Sequence, residues 1–117
     1  MELFGSMNLS SASTARTYPV QVKELAGAVE EATQKLPRWT LIHADEEEIR
    51  AVRKMPVFGF SDDLTIHLTP RSVGAHTTNT RADFQSTSRI AMWGLGQNRR
   101  NLEELLSAID RELTTNY

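Results

Sequence analysis

The sequence predicts an α+β fold of two layers, with the element order α-β-β-β-β-α. Two observations carry this prediction. Apolar residues recur at helical spacing near both ends of the chain, and short segments rich in β-forming residues lie between them. The chain has 117 residues, of which 39% are hydrophobic and 24% are charged. That length and composition are typical of one globular unit.

Two amphipathic helices are the clearest predicted elements. Over residues 20–36, apolar side chains fall on one helical stripe, and Pro37 ends the segment because proline disfavours a helical conformation for the residue before it. Over residues 98–113, a second stripe recurs at the same spacing. The two stripes consist of Val22, Leu25, Val29 and Leu36, and of Leu102, Leu105, Leu106, Ile109 and Leu113.

Four strands are predicted between the helices. Residues 39–43 and 49–53 flank an acidic turn, residues 63–68 alternate cleanly between apolar and polar side chains, and residues 82–90 alternate more weakly. Residues 70–81 are rich in turn-forming residues and predict a loop. Because short connections join consecutive strands antiparallel, we expect a four-stranded antiparallel sheet with both helices on one face.

The start of the chain is predicted to lie outside the folded unit. Residues 1–17 are small, polar and aperiodic, so we expect a flexible arm, followed by a single domain over residues 18–117. Cysteine is absent, which excludes disulfides and thiolate metal sites and fits a cytoplasmic, reducing compartment. The apolar runs are too short to span a bilayer. A net charge of −2 gives no global attraction to nucleic acid, so no such partner is expected.

Three blocks of the sequence resemble the domain of unknown function 1499 family. They are Phe58-x-Phe60-x-Asp62-Asp63-Leu64, Ser86-x-Ser88-Arg89 and Gly94-Leu95-Gly96-x-Asn98-Arg99-Arg100. The resemblance covers about residues 10–114 and supports the fold, but it implies no established biochemical activity. The chain departs from the family pattern where Gln85 and Asn101 stand in place of arginines and Gly94 in place of an aspartate, and a cysteine common near the family's start is absent.

One polar segment is the candidate functional site. Ser86 and Ser88 share a strand face, with Arg89 on the other face. Residues 96–98 are expected to open the last helix, whose free N–H groups and positive dipole end suit a phosphate or carboxylate. The interpretation that we favour for Asn98 alone is an N-cap without a ligand. The candidate binding residues are Ser86, Ser88, Arg89, Gly96, Asn98, Arg99 and Arg100.

Other candidate chemistry finds little support. Asp62 and Asp63 are adjacent in a strand, so they point to opposite faces and cannot form an acid–base pair. No metal site is expected, because the histidines lie on separate elements without ligand-like spacing. No cofactor is expected either, because the glycines at 94 and 96 lack the rest of a nucleotide-binding motif. The three histidines are His43, His67 and His76.

These observations favour a non-enzymatic binding or protein-interaction module that contacts a small anion or an acidic partner at the start of the last helix. No catalytic residue is assigned. The alternative is a small hydrolase with its site in residues 86–100. A third hypothesis is an accessory protein that uses the arginine-rich helix start on RNA or a membrane surface. An enzyme predicts a pocket where polar groups converge, whereas a binding module predicts a flat or apolar patch, for instance on the uncovered sheet face.

Overall fold

Seven elements make up the part of the chain that the computed structural model describes, namely residues 11–55, 60–72, 74, 78–89 and 94–115. The α+β class and both predicted helices are confirmed. The elements, in chain order, are β1 (Ser11–Tyr18), α1 (Val22–Lys35), β2 (Trp39–Ala44), β3 (Glu48–Lys54), β4 (Ser61–Ser72), β5 (Thr78–Ser88) and α2 (Gly94–Thr115).

The described strands form one antiparallel sheet in the order β1-β5-β4-β3-β2. Strands β2 to β5 follow one another as a meander, as short connections favour. Strand β1 then pairs with β5, from Ser11 opposite Thr87 to Tyr18 opposite Thr80. The prediction of a four-stranded sheet was therefore wrong, because the sheet has five strands.

The additional strand lies in the segment that the sequence predicted to be a flexible arm. In β1, Ser11, Ala12 and Tyr18 are buried, while residues 15–17 are exposed, so the strand shows little apolar alternation. Backbone pairing with β5 joins it to the sheet, and Ala12 and Tyr18 take part in the hydrophobic core. Residues 1–10 of the predicted arm lie outside the described residues.

The β4–β5 hairpin is longer than predicted. Residues 70–81 were expected to form a loop, yet the ladder continues through Pro70 opposite Thr80. Proline lacks an N–H donor, and it is tolerated here because β3 pairs with β4 only as far as His67. Two residues singled out in the sequence lie outside the described residues: Phe58 of the first family block, and His76.

One face of the sheet carries the hydrophobic core. Both helices pack on this face, where α1 buries Leu25 and Val29 and α2 buries Leu105 and Ile109, all at 0% exposure. Among the described residues, no helix is long and apolar enough to cross a membrane. The helices share one apolar cluster with sheet residues Ile49, Ala51, Leu64, Ile66, Leu68, Ala82 and Phe84.

The shared core predicts that each helix contributes to one cooperative unit. We expect Leu25→Ala and Leu105→Ala each to lower the free energy of unfolding by about 2–5 kcal/mol, because both remove fully buried methyl groups. Lys23→Ala, at an exposed position of α1, serves as the control and should change it by less than about 0.5 kcal/mol. Urea denaturation measures all three. Losses near zero for both leucine variants would contradict the two-layer packing.

Candidate functional site

A polar cluster interrupts the apolar core at the end of the sheet that α2 covers with its first turns. We define the polar cluster as Asp62, Ser86, Ser88, Asn98 and Asn101. Asp62 is 3% exposed, and Ser86, Asn98 and Asn101 are 0% exposed. Because buried polar groups cost free energy unless they are hydrogen-bonded, the contacts within the cluster decide how it affects the fold.

The side-chain amide of Asn101 links α2 to two strands. Its Nδ2 donates to Oδ2 of Asp62 at 2.7 Å and to Oγ of Ser86 at 3.2 Å. An amide nitrogen carries two hydrogens, so both bonds form together. Gln97, one turn earlier on α2, donates from Nε2 to Oδ1 of Asn101 at 2.8 Å. The oxygen and the nitrogen of the buried amide are therefore both satisfied.

Asn98 makes a second link to β5. Oγ of Ser86 donates to Oδ1 of Asn98 at 2.6 Å, and Nδ2 of Asn98 donates to Oγ of Ser88 at 3.0 Å. Ser86 thus donates to one asparagine and accepts from the other. The arrangement follows from two periodicities, since residues two apart share a strand face and residues three apart share a helix face.

Asp62 brings a negative charge into the polar cluster. Its neighbours across the strands are Arg53 on β3 and Ser88 on β5. Arg53 turns instead to Glu104 of α2, and among the described residues no basic side chain forms an ion pair with Asp62. Removing a partner from a buried carboxylate leaves its charge uncompensated. The donated hydrogen of Asn101 is therefore a strong constraint on how α2 docks.

Glu104 extends the polar contacts from the cluster toward the far edge of the sheet. Its Oε1 accepts from Nε1 of Trp39 at 2.7 Å and from Nε of Arg53 at 3.0 Å. Trp39, Arg53, Asp62 and Ser88 are successive cross-strand partners from β2 to β5. One row of polar groups therefore crosses four strands beneath α2.

The predicted site residues separate into two groups. Ser86, Ser88 and Asn98 meet in the polar cluster, whereas Arg89 lies on the opposite face of the sheet. There its Nη2 and Nε contact the two carboxylate oxygens of Asp63 at 2.8 and 3.0 Å. This placement follows the strand alternation, which also separates Asp62 from Asp63.

The interpretation of Asn98 as an N-cap is wrong. Helix α2 begins at Gly94, so Asn98 lies inside the helix and is fully buried. The helix was predicted to start at Asn98 because glycine disfavours helix, yet α2 includes both Gly94 and Gly96. What looked like a cap is a core-facing polar residue.

The remaining predicted residues lie at the start of α2. Gly96, Arg99 and Arg100 are exposed. The side chain of Arg100 folds back toward the helix start, because its Nη2 donates to Oε1 of Gln97 at 3.3 Å. Its Nη1 lies 3.8 Å from the position that a Cβ on Gly96 would occupy. The guanidinium therefore lies beside the first turn of the helix.

Asp62 and Asn101 belong to the polar cluster but were not among the predicted site residues. A signal was present in the helix periodicity. Asn98 and Asn101 precede Leu105 by seven and four residues, so they extend the buried stripe of α2 with two amides. Polar residues at core-facing helix positions need buried partners, and Asp62 at the inner face of β4 is one of them.

The acidic turn between β2 and β3 closes a hairpin. Oδ1 of Asp45 accepts from the backbone N–H of Glu48 at 2.7 Å and of Glu47 at 2.8 Å, and Oδ2 lies 2.8 Å from Nε2 of His43. These contacts lower the pKa of Asp45 to about 2, and the hydrogen bond from the Glu48 N–H has the largest effect.

The histidines do not meet at a metal site. His43 lies on β2 and His67 on β4, and β3 separates these two strands. In the described residues no three potential ligands converge on a metal position.

The face of the sheet that the helices leave uncovered is polar along β4 and β5. The binding-module hypothesis allowed an apolar patch on this face, and β4 and β5 do not provide one. The outward-facing residues of β4 and β5 include Asp63, Thr65, His67, Arg81, Asp83, Gln85 and Thr87.

Comparisons with known proteins point to a family and to a fold. The family described as protein of unknown function (DUF1499) matches residues 6–109. Among solved structures, the chain is similar to protein MLL2253 from Mesorhizobium loti, with 14% identity, a TM-score of 0.60, and coverage of 92% of this chain and 98% of that one. It is also similar to TTHA0849 from Thermus thermophilus, with 10% identity, a TM-score of 0.44, and coverage of 91% and 98%. No curated protein matches the chain.

The contacts of the polar cluster predict energetic coupling between Asn101 and Ser86. Asn101→Ala leaves buried groups without a partner, so we expect a loss of about 1–3 kcal/mol or more of unfolding free energy. Ser86→Ala should also destabilise the fold. Because the two residues share a hydrogen bond, the double variant should lose less than the sum, by about 0.5–3 kcal/mol. Urea denaturation of the native chain, the two single variants and the double variant tests this coupling. A second cycle that combines Asn101→Ala with Lys23→Ala is the control, and its two effects should add. Additivity in both cycles would refute the coupling.

The depressed pKa of Asp45 predicts a pH effect on stability. The folded pKa of about 2 lies below the usual unfolded value of about 3.9. The contribution of Asp45 is therefore fully present above pH ~4 and is lost as the pH falls toward 2. Melting temperatures of the native chain and of Asp45→Asn should differ most above this window and converge below it. A carboxyl titration by NMR with a midpoint near the usual value would overturn the assignment.

Proposed function

Because the chain belongs to the family of proteins of unknown function (DUF1499), we propose a function from the geometry of its own residues: a non-enzymatic binding module that contacts an oxyanion at the start of α2. The oxyanion is a small phosphate, sulfate or carboxylate, or a carboxylate of an acidic protein partner. The observation that carries the proposal is the guanidinium of Arg100, which folds back beside Gly96 in the first turn of the helix.

The start of α2 combines several sources of positive potential. The first four N–H groups of a helix have no acceptor within it, and they lie at the positive end of the helix dipole. No acidic residue is present in the first turn. Gly96 is exposed and has no side chain, so an anion can approach the backbone closely there. Arg100 adds a full charge and planar donors that match an oxyanion.

The polar cluster supports this site by holding it in place. Gln97 accepts from Arg100 through Oε1 and donates to Asn101 through Nε2. Asn101 in turn donates to Asp62 on β4. A continuous series of hydrogen bonds therefore connects the exposed guanidinium to the centre of the sheet. Such pre-organisation lowers the entropy cost of binding, because fewer side chains need to be ordered by the ligand.

The proposed contact set is smaller than the sequence suggested. Arg89 is engaged by Asp63 on the opposite face of the sheet. Ser86 and Asn98 are fully buried beneath α2, so they support the helix instead of touching a ligand. The residues that remain at the surface are Gly96, Arg99 and Arg100.

The hydrolase alternative finds less support in the contacts of the two serines. The hydroxyl of Ser86 donates to the amide oxygen of Asn98, which is not a base, and Oγ of Ser88 accepts from the same residue. Among the described residues, no histidine, lysine or carboxylate is hydrogen-bonded to either serine. A serine nucleophile needs a base within hydrogen-bonding distance. These contacts favour a structural role for both hydroxyls.

Anion titration followed by NMR tests the proposal. Addition of phosphate, sulfate or acetate should shift the backbone amides of residues 94–100 in a saturable manner, and added sodium chloride should weaken the effect. Arg100→Ala should weaken binding roughly tenfold, as expected for the loss of one charge-assisted hydrogen bond. Arg71→Ala, at an exposed position of β4, is the matched control and should leave binding unchanged.

A second titration with a glutamate-rich peptide separates the two ligand sources. A stronger response to the peptide than to phosphate at equal ionic strength would identify an acidic partner. Uniform shifts along the chain, no shifts at all, or equal effects of the two arginine variants would each contradict the proposed contact.

A further inference from the structure

The hydroxyl group of Tyr18 is a buried polar group without a hydrogen-bond partner. Tyr18 ends β1, is 4% exposed and belongs to the hydrophobic core. Within the part of the chain that the structure describes, its oxygen is the one buried side-chain polar atom that forms no hydrogen bond. Such groups are rare, because burial removes their hydrogen bonds to water without replacing them. A phenylalanine ring would fill the same space without this penalty, so folding alone does not account for the hydroxyl.

Two opposite charges lie beside this hydroxyl. Arg16 and Tyr18 are two residues apart in β1, so their side chains share the face of the sheet that the helices cover. Asp110 of α2 reaches Arg16 there, with Oδ2 at 3.4 Å from Nη1. Burial raises the pKa of Tyr18 to about 12, while Arg16 lowers it and Asp110 raises it, so both charges are near the hydroxyl. The hydroxyl therefore keeps its hydrogen at neutral pH and can donate it.

The contact between Arg16 and Asp110 is loose. Their side chains are 45% and 55% exposed, and 3.4 Å exceeds the roughly 2.7–2.9 Å of a typical charge-assisted hydrogen bond. An ion pair between exposed groups contributes little to stability. A ligand that offers each of the two charges a better partner can therefore separate them.

We infer that Arg16, Tyr18 and Asp110 form a second binding site, the Tyr18 site, which takes a small α-amino acid in its zwitterionic form. The carboxylate of the ligand accepts hydrogen bonds from the guanidinium of Arg16 and from the hydroxyl of Tyr18. Its ammonium group donates to the carboxylate of Asp110. The Tyr18 site shares no residue with the proposed anion contact at the start of α2 and is independent of it.

The signs of the charges favour a zwitterion over a simple ion. An anion alone would meet the like charge of Asp110 as soon as it reached Arg16. A cation alone would meet the like charge of Arg16 and would leave the hydroxyl of Tyr18 without an acceptor. A ligand that carries both charges on neighbouring atoms pairs all three groups at once.

NMR titration with free glycine, the smallest α-amino acid, tests the Tyr18 site. At constant ionic strength, we expect saturable shifts of the backbone amides of residues 16–18 and 110. Acetate and methylammonium each carry one of the two charges and should bind there roughly tenfold more weakly or less. Shifts confined to residues 94–100 would belong to the anion contact instead. In Arg100→Ala the response of residues 16–18 to glycine should be unchanged.

Tyr18→Phe separates binding from folding. Because it removes only an unpaired hydroxyl, the variant should melt at the native temperature or a few degrees above it. Its affinity for glycine should nevertheless fall roughly tenfold, and that of Arg16→Gln should fall at least as far. Thr17→Ala, at an exposed position on the other face of β1, is the matched control and should bind as the native chain does.

Three outcomes would overturn the inference. The first is the absence of saturable shifts at residues 16–18, as expected if water alone reaches the hydroxyl. The second is equal affinity for glycine and acetate, which would indicate a simple anion contact at Arg16. The third is native affinity for glycine in either Tyr18→Phe or Arg16→Gln.

Discussion

The double hydrogen bond donated by Asn101 is the interaction on which the arrangement of α2 depends. One amide nitrogen serves Asp62 on β4 and Ser86 on β5, so the helix is held to two neighbouring strands through a single side chain. The apolar contacts of Leu105 and Ile109 supply most of the burial, but such contacts are non-directional and tolerate small displacements. Hydrogen bonds to a buried carboxylate do not tolerate such displacements, because a displaced helix leaves the charge of Asp62 without its donor.

The difference between non-directional apolar contacts and directional hydrogen bonds explains why polar residues occupy one end of an otherwise apolar layer. Leucine and isoleucine side chains hold the two layers together, while the amides at Asn98 and Asn101 select one position of α2 along the sheet. A satisfied polar network favours a single arrangement over its neighbours at some cost in stability. The same network reaches the surface through Gln97, whose Oε1 accepts a hydrogen bond from the exposed Arg100.

Much of the fold follows from the sequence, and the exceptions have physical causes. Both helices and the meander from β2 to β5 show local periodicity in the sequence. Leu25 belongs to an apolar stripe at helical spacing, and Ile66 belongs to a segment that alternates between apolar and polar residues. Strand β1 depends instead on pairing with a distant strand, and its alternation is too weak to show this. Of the polar cluster, the sequence indicated the two serines and Asn98. The role of Asp62 could not be inferred, because it depends on which helix residue lies above it.

The sheet order has a consequence for the way the chain acquires its structure. Strand β1 is the first described element to be made, yet Ser11 must pair with Thr87 in β5, the last described strand. The intervening meander forms through local hairpins, whereas this closure must await β5 and carries the entropy cost of a long loop. During synthesis β1 therefore has no described partner strand of its own chain to join until β5 has emerged. A strand that stays unpaired during synthesis is less prone to aggregation when it contains few large apolar residues. Strand β1 is made mainly of small and polar residues, which is also why its sequence shows no clear strand pattern.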